Sequence, residues 1–424
     1  MSVSDAIPVF AEGTYEEQIL ELVNYLARSL LEEQRPAFLQ PFQDALTTAE
    51  DQTSFEQDDE RRRQVLIKVL DEVKDLGDGS EREIEGFFNL LFAHLLSLFP
   101  SESPQTKQYI PAILQAVSSS SEPSGTKYRV ISNLFNTIPA RSELRLPVQR
   151  TLVEIASTNY ELEHLSLSPA GVEKWLSEWD VSSEEKSAFL KLLVDAYATS
   201  GDADTSYQYL LSYVRSLPPS SAEPAAVQVI VAALRSLTVF DFDPLFRLDA
   251  VVAAKNHEIF PLLQIFLNDG LSEYKAWESS HSDLFAQYDL DKAQLERKIR
   301  LLSLASVAFQ NIGHAVAYPV LAKALQLEQS EVEKWVIDAI RVGLVSGKLS
   351  QTTQTFHVAR ATARIFGREQ WVILEKRLAA WKAGLVGVLE VVVSTKKKTG
   401  PDALASNVPS VLETTVQQPQ ETVA

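Results

Sequence analysis

The stretch YPVLAKALQLEQSEVEKWVIDAIRVGLVSGKLSQTTQTFHVARA, residues 318–361, changes its hydrophobic period within a short span. Pro319 suits the first turn of a short helix, where the N–H it lacks would be unpaired anyway. Val320, Leu321, Ala324 and Leu325 share one face of that helix. After a four-residue turn, Ser330 and Glu333 are spaced as an S-x-x-E capping box, and Val332, Trp335, Val336, Ala339 and Ile340 recur as a buried helical stripe. Beyond Gly343 the period drops to two. Val345, Gly347 and Leu349, then Phe356 and Val358 across the polar turn 350–354, predict a β-hairpin. Two short helices and a hairpin read as a winged helix.

Just upstream, residues 295–309 carry Leu295, Ile299, Leu302 and Val307 at helical spacing and form the unit's first helix. Just downstream, residues 370–393 place Trp371, Leu374, Leu378, Trp381, Leu385, Val388 and Val392 on a seven-residue repeat, the period of a helix that packs along another helix. Between 127 and 290 the punctuation is that of helix starts. Pro147, Pro169 and Pro244 suit first turns, Asp243 suits a cap, and Ser182 with Glu185 makes a capping box. Strand signals are nearly absent there, which predicts antiparallel helix pairs stacked side by side.

The fold expected is therefore mainly α: a helical-repeat stack, a winged helix and a long C-terminal helix. The expected divisions are an acidic helical arm (1–99), a flexible Ser/Pro-rich insertion around one short helix (100–126), the helical repeats (127–290), the winged helix (291–365), the heptad-patterned helix (366–393) and a disordered tail (394–424). A chain of 424 residues is longer than one core usually organises, which agrees with several units.

Composition narrows the function. No cysteine leaves no disulfide framework or thiolate metal site, and the start, MSVSDAIPVFAEG, lacks a basic segment followed by an apolar core. No uninterrupted run approaches the roughly 18 apolar residues of a membrane span. A cytoplasmic protein with no membrane contact is expected. The net charge of −18 is unevenly placed: residues 1–291 hold 22 Lys/Arg against 46 Asp/Glu, and residues 292–393 hold 14 against 8. The C-terminal part thus tolerates an anionic surface that the N-terminal part repels.

Catalytic constellations are lacking. His94, His164, His257, His281, His314 and His357 are scattered singly, with no pair spaced for one helix face. The run GLVSGKL (343–349) has three residues between its glycines where a phosphate loop needs four, and Leu349 stands where a hydroxyl is needed. Ser124 with Lys127 and the K-T-G at 398–400 lie in low-complexity segments. Asp241 and Asp243 form an acidic pair on which no other group converges. No enzyme activity, cofactor, metal or small-molecule substrate is expected.

A winged helix raises the question of nucleic acid. The solvent face of its second helix carries Glu331, Glu333 and Asp338 against Lys334 and Arg341, a net negative face toward a polyanion, so sequence reading is disfavoured. Lys348, Arg360, Arg364 and Arg368 remain as candidate phosphate contacts for weak RNA binding. The uncharged hairpin residues Val345, Leu349, Phe356 and Val358 are the candidate protein-binding edge, and the heptad residues from Trp371 to Val392 the candidate bundle seam.

The runs VISNLFN (130–136), GVEKWLSEWDVSSEEKSAFLKLLVDAY (171–197), FDFDPLF (240–246), KIRLLSLA (298–305) and EVEKWVIDAIRVGLVSGKLSQ (331–351) are collinear with members of a known family. Over residues 125–390 the chain resembles the PCI-domain family, the scaffold of the proteasome lid, the signalosome and translation initiation factor three, and within it the initiation-factor members. The resemblance implies a non-catalytic scaffold subunit of the initiation-factor-three complex. Its winged helix would meet other PCI subunits, its last helix would enter a shared bundle, and the complex would bind the small ribosomal subunit. Two alternatives are a PCI subunit of the signalosome or proteasome lid and a winged-helix nucleic-acid binder.

Overall fold

In the computed structural model, which describes residues 13–46, 58–218, 221–365 and 367–398, Thr14 and Glu17 open the first helix with a reciprocal capping box. Seven helices follow one another: α1 (Tyr15–Ala27), α2 (Arg35–Leu46), α3 (Asp59–Asp71), α4 (Glu81–Leu98), α5 (Pro104–Ser119), α6 (Ser124–Thr137) and α7 (Arg145–Thr158). One continuous apolar core runs through all seven, from Tyr15 to Ile155. The strongest contributor is α4, whose Ile84, Phe88, Leu91, Phe92 and Leu95 are almost wholly buried. Its apolar residues cover more than one stripe because helices pack on more than one side of it.

That continuity corrects the reading of residues 100–126 as a flexible insertion. Here Ser103 caps α5 through the Thr106 N–H (3.2 Å), Pro104 takes its first turn, and Ile110, Ile113, Leu114 and Val117 enter the core. The short helix expected in this segment is present, but it runs from Pro104 to Ser119 and packs into the core, where the serine-rich flanks suggested a surface insertion. Helix α2, within the expected helical arm, carries Pro41 in its interior. Residues 48–60 read as an acidic, unstructured stretch; 48–57 lie outside the described residues, whereas Asp58 caps α3 and Asp59 and Glu60 form its first turn.

The stack continues with α8 (Pro169–Glu178), α9 (Ser183–Ser200), α10 (Ala203–Ser216), α11 (Glu223–Arg235), α12 (Asp243–Phe246), α13 (Asp249–Ala253), α14 (Phe260–Asn268), α15 (Leu271–Ser280) and α16 (Ser282–Gln287). The Ser182–Glu185 capping box forms as its spacing predicts. Helices α9 and α10 make a tight hairpin because Gly201 adopts φ +86, and Tyr197 stacks on Tyr209 across it (5.5 Å between centroids). At α12 the expected cap is displaced by two residues. Asp241 Oδ1 accepts the Asp243 N–H (3.1 Å), whereas Asp243 is the first helical residue and pairs with Arg247.

Helix α17 (Lys292–Gln310) leads into the winged helix: β1 (Ala315–Ala317), α18 (Tyr318–Leu325), α19 (Val332–Arg341), β2 (Val345–Ser350) and β3 (Thr355–Ala361). The strands form one antiparallel sheet in the order β1-β3-β2, so β3 is central. β1 was not expected, being only three residues long. Residues 1–364 form one unit and residues 365–424 another; the described part of the second is α20 (Arg368–Lys398) with its short approach. Helix α20 extends five residues, 394–398, into the segment expected to be disordered, and residues 399–424 lie outside the described part.

A buried histidine makes the N-terminal core pH-sensitive. His94 lies edge-on to the Tyr15 ring (4.8 Å), and its Nε2 finds no hydrogen-bond partner among the described residues. Burial first, and the nearby Arg62 guanidinium second, hold its imidazole down at about 4. The unfolded chain therefore binds the extra proton between pH 6.5 and 4, and stability present above that window is lost as pH falls through it, by about 3 kcal/mol in all. Urea unfolding at pH 7.5 and pH 4.5 should show this loss in the unaltered protein and a smaller one in His94→Phe.

Candidate protein-interaction surfaces

The winged helix is mounted on the stack through consecutive basic residues of α17. Lys298 is buried and points its ammonium at the end of α11, donating to the carbonyls of Ala233 (2.7 Å), Leu234 (3.3 Å) and Ser236 (2.5 Å). Those carbonyls belong to the last turn, where no helical N–H remains to pair them. Burial pulls the Lys298 ammonium down toward about 7, while three acceptors, one for each N–H of the charged form, oppose that. Arg297 points the other way and grips Asp338 of α19 with two bonds of 2.9 Å. Arg300, one turn on, lies over the Trp335 ring (5.3 Å).

These contacts revise the charge reading of α19. Asp338 is engaged by Arg297 and is not on the solvent face, and Glu333 is half-buried, accepting from the Tyr318 hydroxyl (3.1 Å). The Ser330–Glu333 capping box does not form, because a turn of tighter helix, Gln329–Glu331, precedes α19 and leaves Ser330 inside it. The exposed face is Glu331, Lys334, Ile337, Ile340 and Arg341, so Ile340 also leaves the predicted core stripe. Where the sequence counted three acids against two bases, the exposed face has one acid and two bases beside two isoleucines. That face lacks the Asn, Gln and Arg set of a base reader, which disfavours sequence reading on grounds of chemistry instead of sign.

The wing is likewise turned inward. Val345, Phe356 and Val358, expected as a docking edge, are at most 1% exposed, and only Leu349 of that set is half-buried. Val345 pairs with Ala361, after which β3 carries one extra residue, Ala359, between the partners of Ser346 and Gly347. The Phe356 ring then lies over Gly347. A Cβ at Gly347 would sit 2.2 Å from the His357 carbonyl oxygen and 2.7 Å from that ring. Gly343 takes φ +78 to end α19, with the Leu344 N–H returning to the Ala339 carbonyl (3.1 Å). The two glycines of GLVSGKL thus serve a helix end and a strand crossing.

Of the candidate phosphate contacts, Lys348, Arg360 and Arg368 are exposed. Arg364 is not available. It donates to the carbonyls of Leu302 (3.0 Å) and Asp269 (2.5 Å) and to the Ser303 hydroxyl (3.3 Å), and burial brings it down to about 10. Lys292 makes a surface pair with Glu278, so of the basic residues in 292–393 it is Arg297, Lys298, Arg300 and Arg364 that are engaged within the fold.

Helix α20 carries the opposite character. On the predicted seam, Trp371, Leu378, Trp381, Leu385, Val388 and Val392 are 45–66% exposed, and Leu374 is half-buried. The heptad reading missed further residues, since Val386, Leu389, Val391 and Val393 are exposed as well. From Leu385 onward the apolar surface wraps most of the helix. Gln370–Thr395, with a mean hydropathy of 1.5, is long and apolar enough to cross a membrane by length and composition, which a count of uninterrupted apolar runs did not register. Among the described residues, no group of three or more His, Cys, Asp or Glu side chains is arranged to hold a metal ion.

A helical stack closed by a winged helix defines a PCI-type protein, and residues 272–360 match the PCI domain family. The next segment, residues 364–392, matches the family described as eIF3 subunit M, C-terminal helix. Over 407 residues the chain is 33% identical to eukaryotic translation initiation factor 3 subunit M of Phaeosphaeria nodorum, covering 92% of this chain and 89% of that one. The same-named proteins of Aspergillus terreus (32%, covering 91% and 87%) and Emericella nidulans (31%, covering 93% and 91%) are similar along the same length. The chain belongs to the eukaryotic translation initiation factor 3 subunit M family.

Two internal contacts of the mounted winged helix are testable. Lys298→Met leaves the last carbonyls of α11 buried without a donor and should lower stability by about 1–3 kcal/mol in denaturant unfolding. Gly347→Ala forces backbone apart and should destabilise by about 1–3 kcal/mol. Hydrogen exchange should place that second loss in β2 and β3, with the amides of α4 still protected.

Proposed function

We propose that this chain is a non-catalytic scaffold subunit of eukaryotic translation initiation factor 3, acting in the cytoplasm in the initiation of protein synthesis. In this reading it assembles with other PCI-type subunits through α20, and the assembled complex binds the small ribosomal subunit. The observation that carries it is the apolar surface of α20, exposed along its distal half in the chain alone. Large apolar side chains stabilise by roughly 1.5–3 kcal/mol each on full burial, so Leu385, Val388, Leu389 and Val392 together offer several kcal/mol to a bundle. Because that surface exceeds one seam, a single partner helix leaves part of it wet, and two or more cover it. Lys348, Arg360 and Arg368 are the side chains left for contact with ribosomal RNA, as non-specific phosphate binders.

A second reading is favoured by the same helix, a membrane anchor. Against it stand Glu375, Lys376, Arg377, Lys382 and Glu390 within the apolar stretch, each costly in a bilayer. Truncation after Lys382 separates the two. The isolated truncated chain should melt as the full chain does, while its co-purification with initiation-factor subunits from cells falls at least tenfold and neither form floats with membranes. Retained co-purification, or flotation of the full chain alone, would sink the scaffold reading.

A further inference from the structure

The winged helix keeps its acids in one place. Between Arg297 and Arg368 the acidic residues are Glu328, Glu331, Glu333 and Asp338, all just before or on α19. Glu333 and Asp338 are bonded to Tyr318 and Arg297, and the three strands carry no acid at all. Register sorts the hairpin into two faces. Val345, Phe356 and Val358 close the core, so Ser346, Lys348 and Ser350 on β2, with Thr355 and His357 on β3, share the opposite face. The extra residue Ala359 brings Arg360 onto that face as well, as the partner of Ser346.

Lys348 stands directly opposite His357, and Arg360 lies two pairs further along, about 7 Å away. All three are exposed, and none pairs with an acid among the described residues. The rest of the face is small: Ala315 and Ala317 of β1 continue it beside His357 and Thr355. Nothing bulky holds a polyanion away, and the serine and threonine hydroxyls add neutral hydrogen-bond donors. The face carries no Phe, Tyr or Trp on which successive bases of a single strand could stack, and no large apolar side chain to enter a bilayer. An A-form duplex presents phosphates and 2′-hydroxyls across a wide, shallow groove, which is what such a surface can hold.

The geometry points to the outer face of the β1-β3-β2 sheet as a binding site for the backbone of double-helical RNA. Lys348 and Arg360 meet phosphates, while His357 and the hydroxyls of Ser346 and Thr355 bond phosphate or 2′-hydroxyl oxygens. The contact reads shape and charge, not sequence. It rests on the initiation-factor reading, which supplies RNA as the polyanion, and adds the form of that RNA and the face that meets it. Glu331 and the isoleucines of α19 take no part.

Fluorescence anisotropy of the full chain with a labelled RNA duplex of about 20 base pairs, at about 50 mM salt, tests this. Saturable binding is expected, at least threefold tighter than to either strand alone. Lys348→Gln combined with Arg360→Gln should weaken it at least tenfold and lower the slope of log Kd against log salt by about 2, one for each lost phosphate contact. Lys334→Gln combined with Arg341→Gln, on α19, should change the affinity less than threefold. The melting temperature and the co-purification with initiation-factor subunits should stay as in the unaltered chain. If the first double variant melts lower, Lys348→Glu alone, at its exposed position, decides by the same tenfold loss. No saturable binding, tighter binding of single strands, or an equal loss from the α19 pair overturns the proposal and leaves the scaffold reading standing. Loss of co-purification in the Lys348/Arg360 variant also overturns it, since the face would then meet a protein; the scaffold reading itself is decided by the truncation after Lys382.

Discussion

The burial of Lys298 is the constraint on which the joining of stack and winged helix depends. An ammonium removed from water is unfavourable unless its donors are met, and here the last carbonyls of α11 meet all three. Because successive residues of a helix point about 100° apart, the neighbours Arg297 and Arg300 then face α19, where they hold Asp338 and Trp335. One helix thus grips the repeat unit with one side and the second helix of the winged helix with another. Arg364 adds a clamp from beyond the wing, binding carbonyls on α17 and at the end of α14.

This use of charge changes what the winged helix has left for partners. Arginines and lysines that would otherwise form a basic surface are consumed in mounting it, and the acids that would repel a polyanion are consumed with them. The remaining face is small and mixed, with Ile337 and Ile340 at its surface. The wing's apolar residues close its own core. Apolar surface of a size that normally marks association lies instead on α20.

How far these surfaces were legible varies with the range of the interaction. The seven-residue pattern of α20 and the helix–helix–hairpin order of the winged helix are local periodicities, and they were read directly. Helix α5 was expected as a short helix, but its place in the core was not, because flanks rich in serine and proline suggested a surface insertion. Val345, Phe356 and Val358 were assigned to an edge because alternation shows that one face of a hairpin is apolar without showing what covers it. The contacts of Asp338 and Arg364 span 41 and 62 residues, and no local pattern signals such pairs.

The sequence by itself determined the order of the elements in the winged helix, the capping box at Ser182, the heptad helix and the family resemblance, since each depends on residues close together in the chain or on collinear runs. Only the tertiary structure decided which charges are solvated and which are spent, and that the apolar face of the wing is core. Those outcomes depend on which elements pack together, and side chains with the same local pattern become surface or core according to the neighbour that covers them.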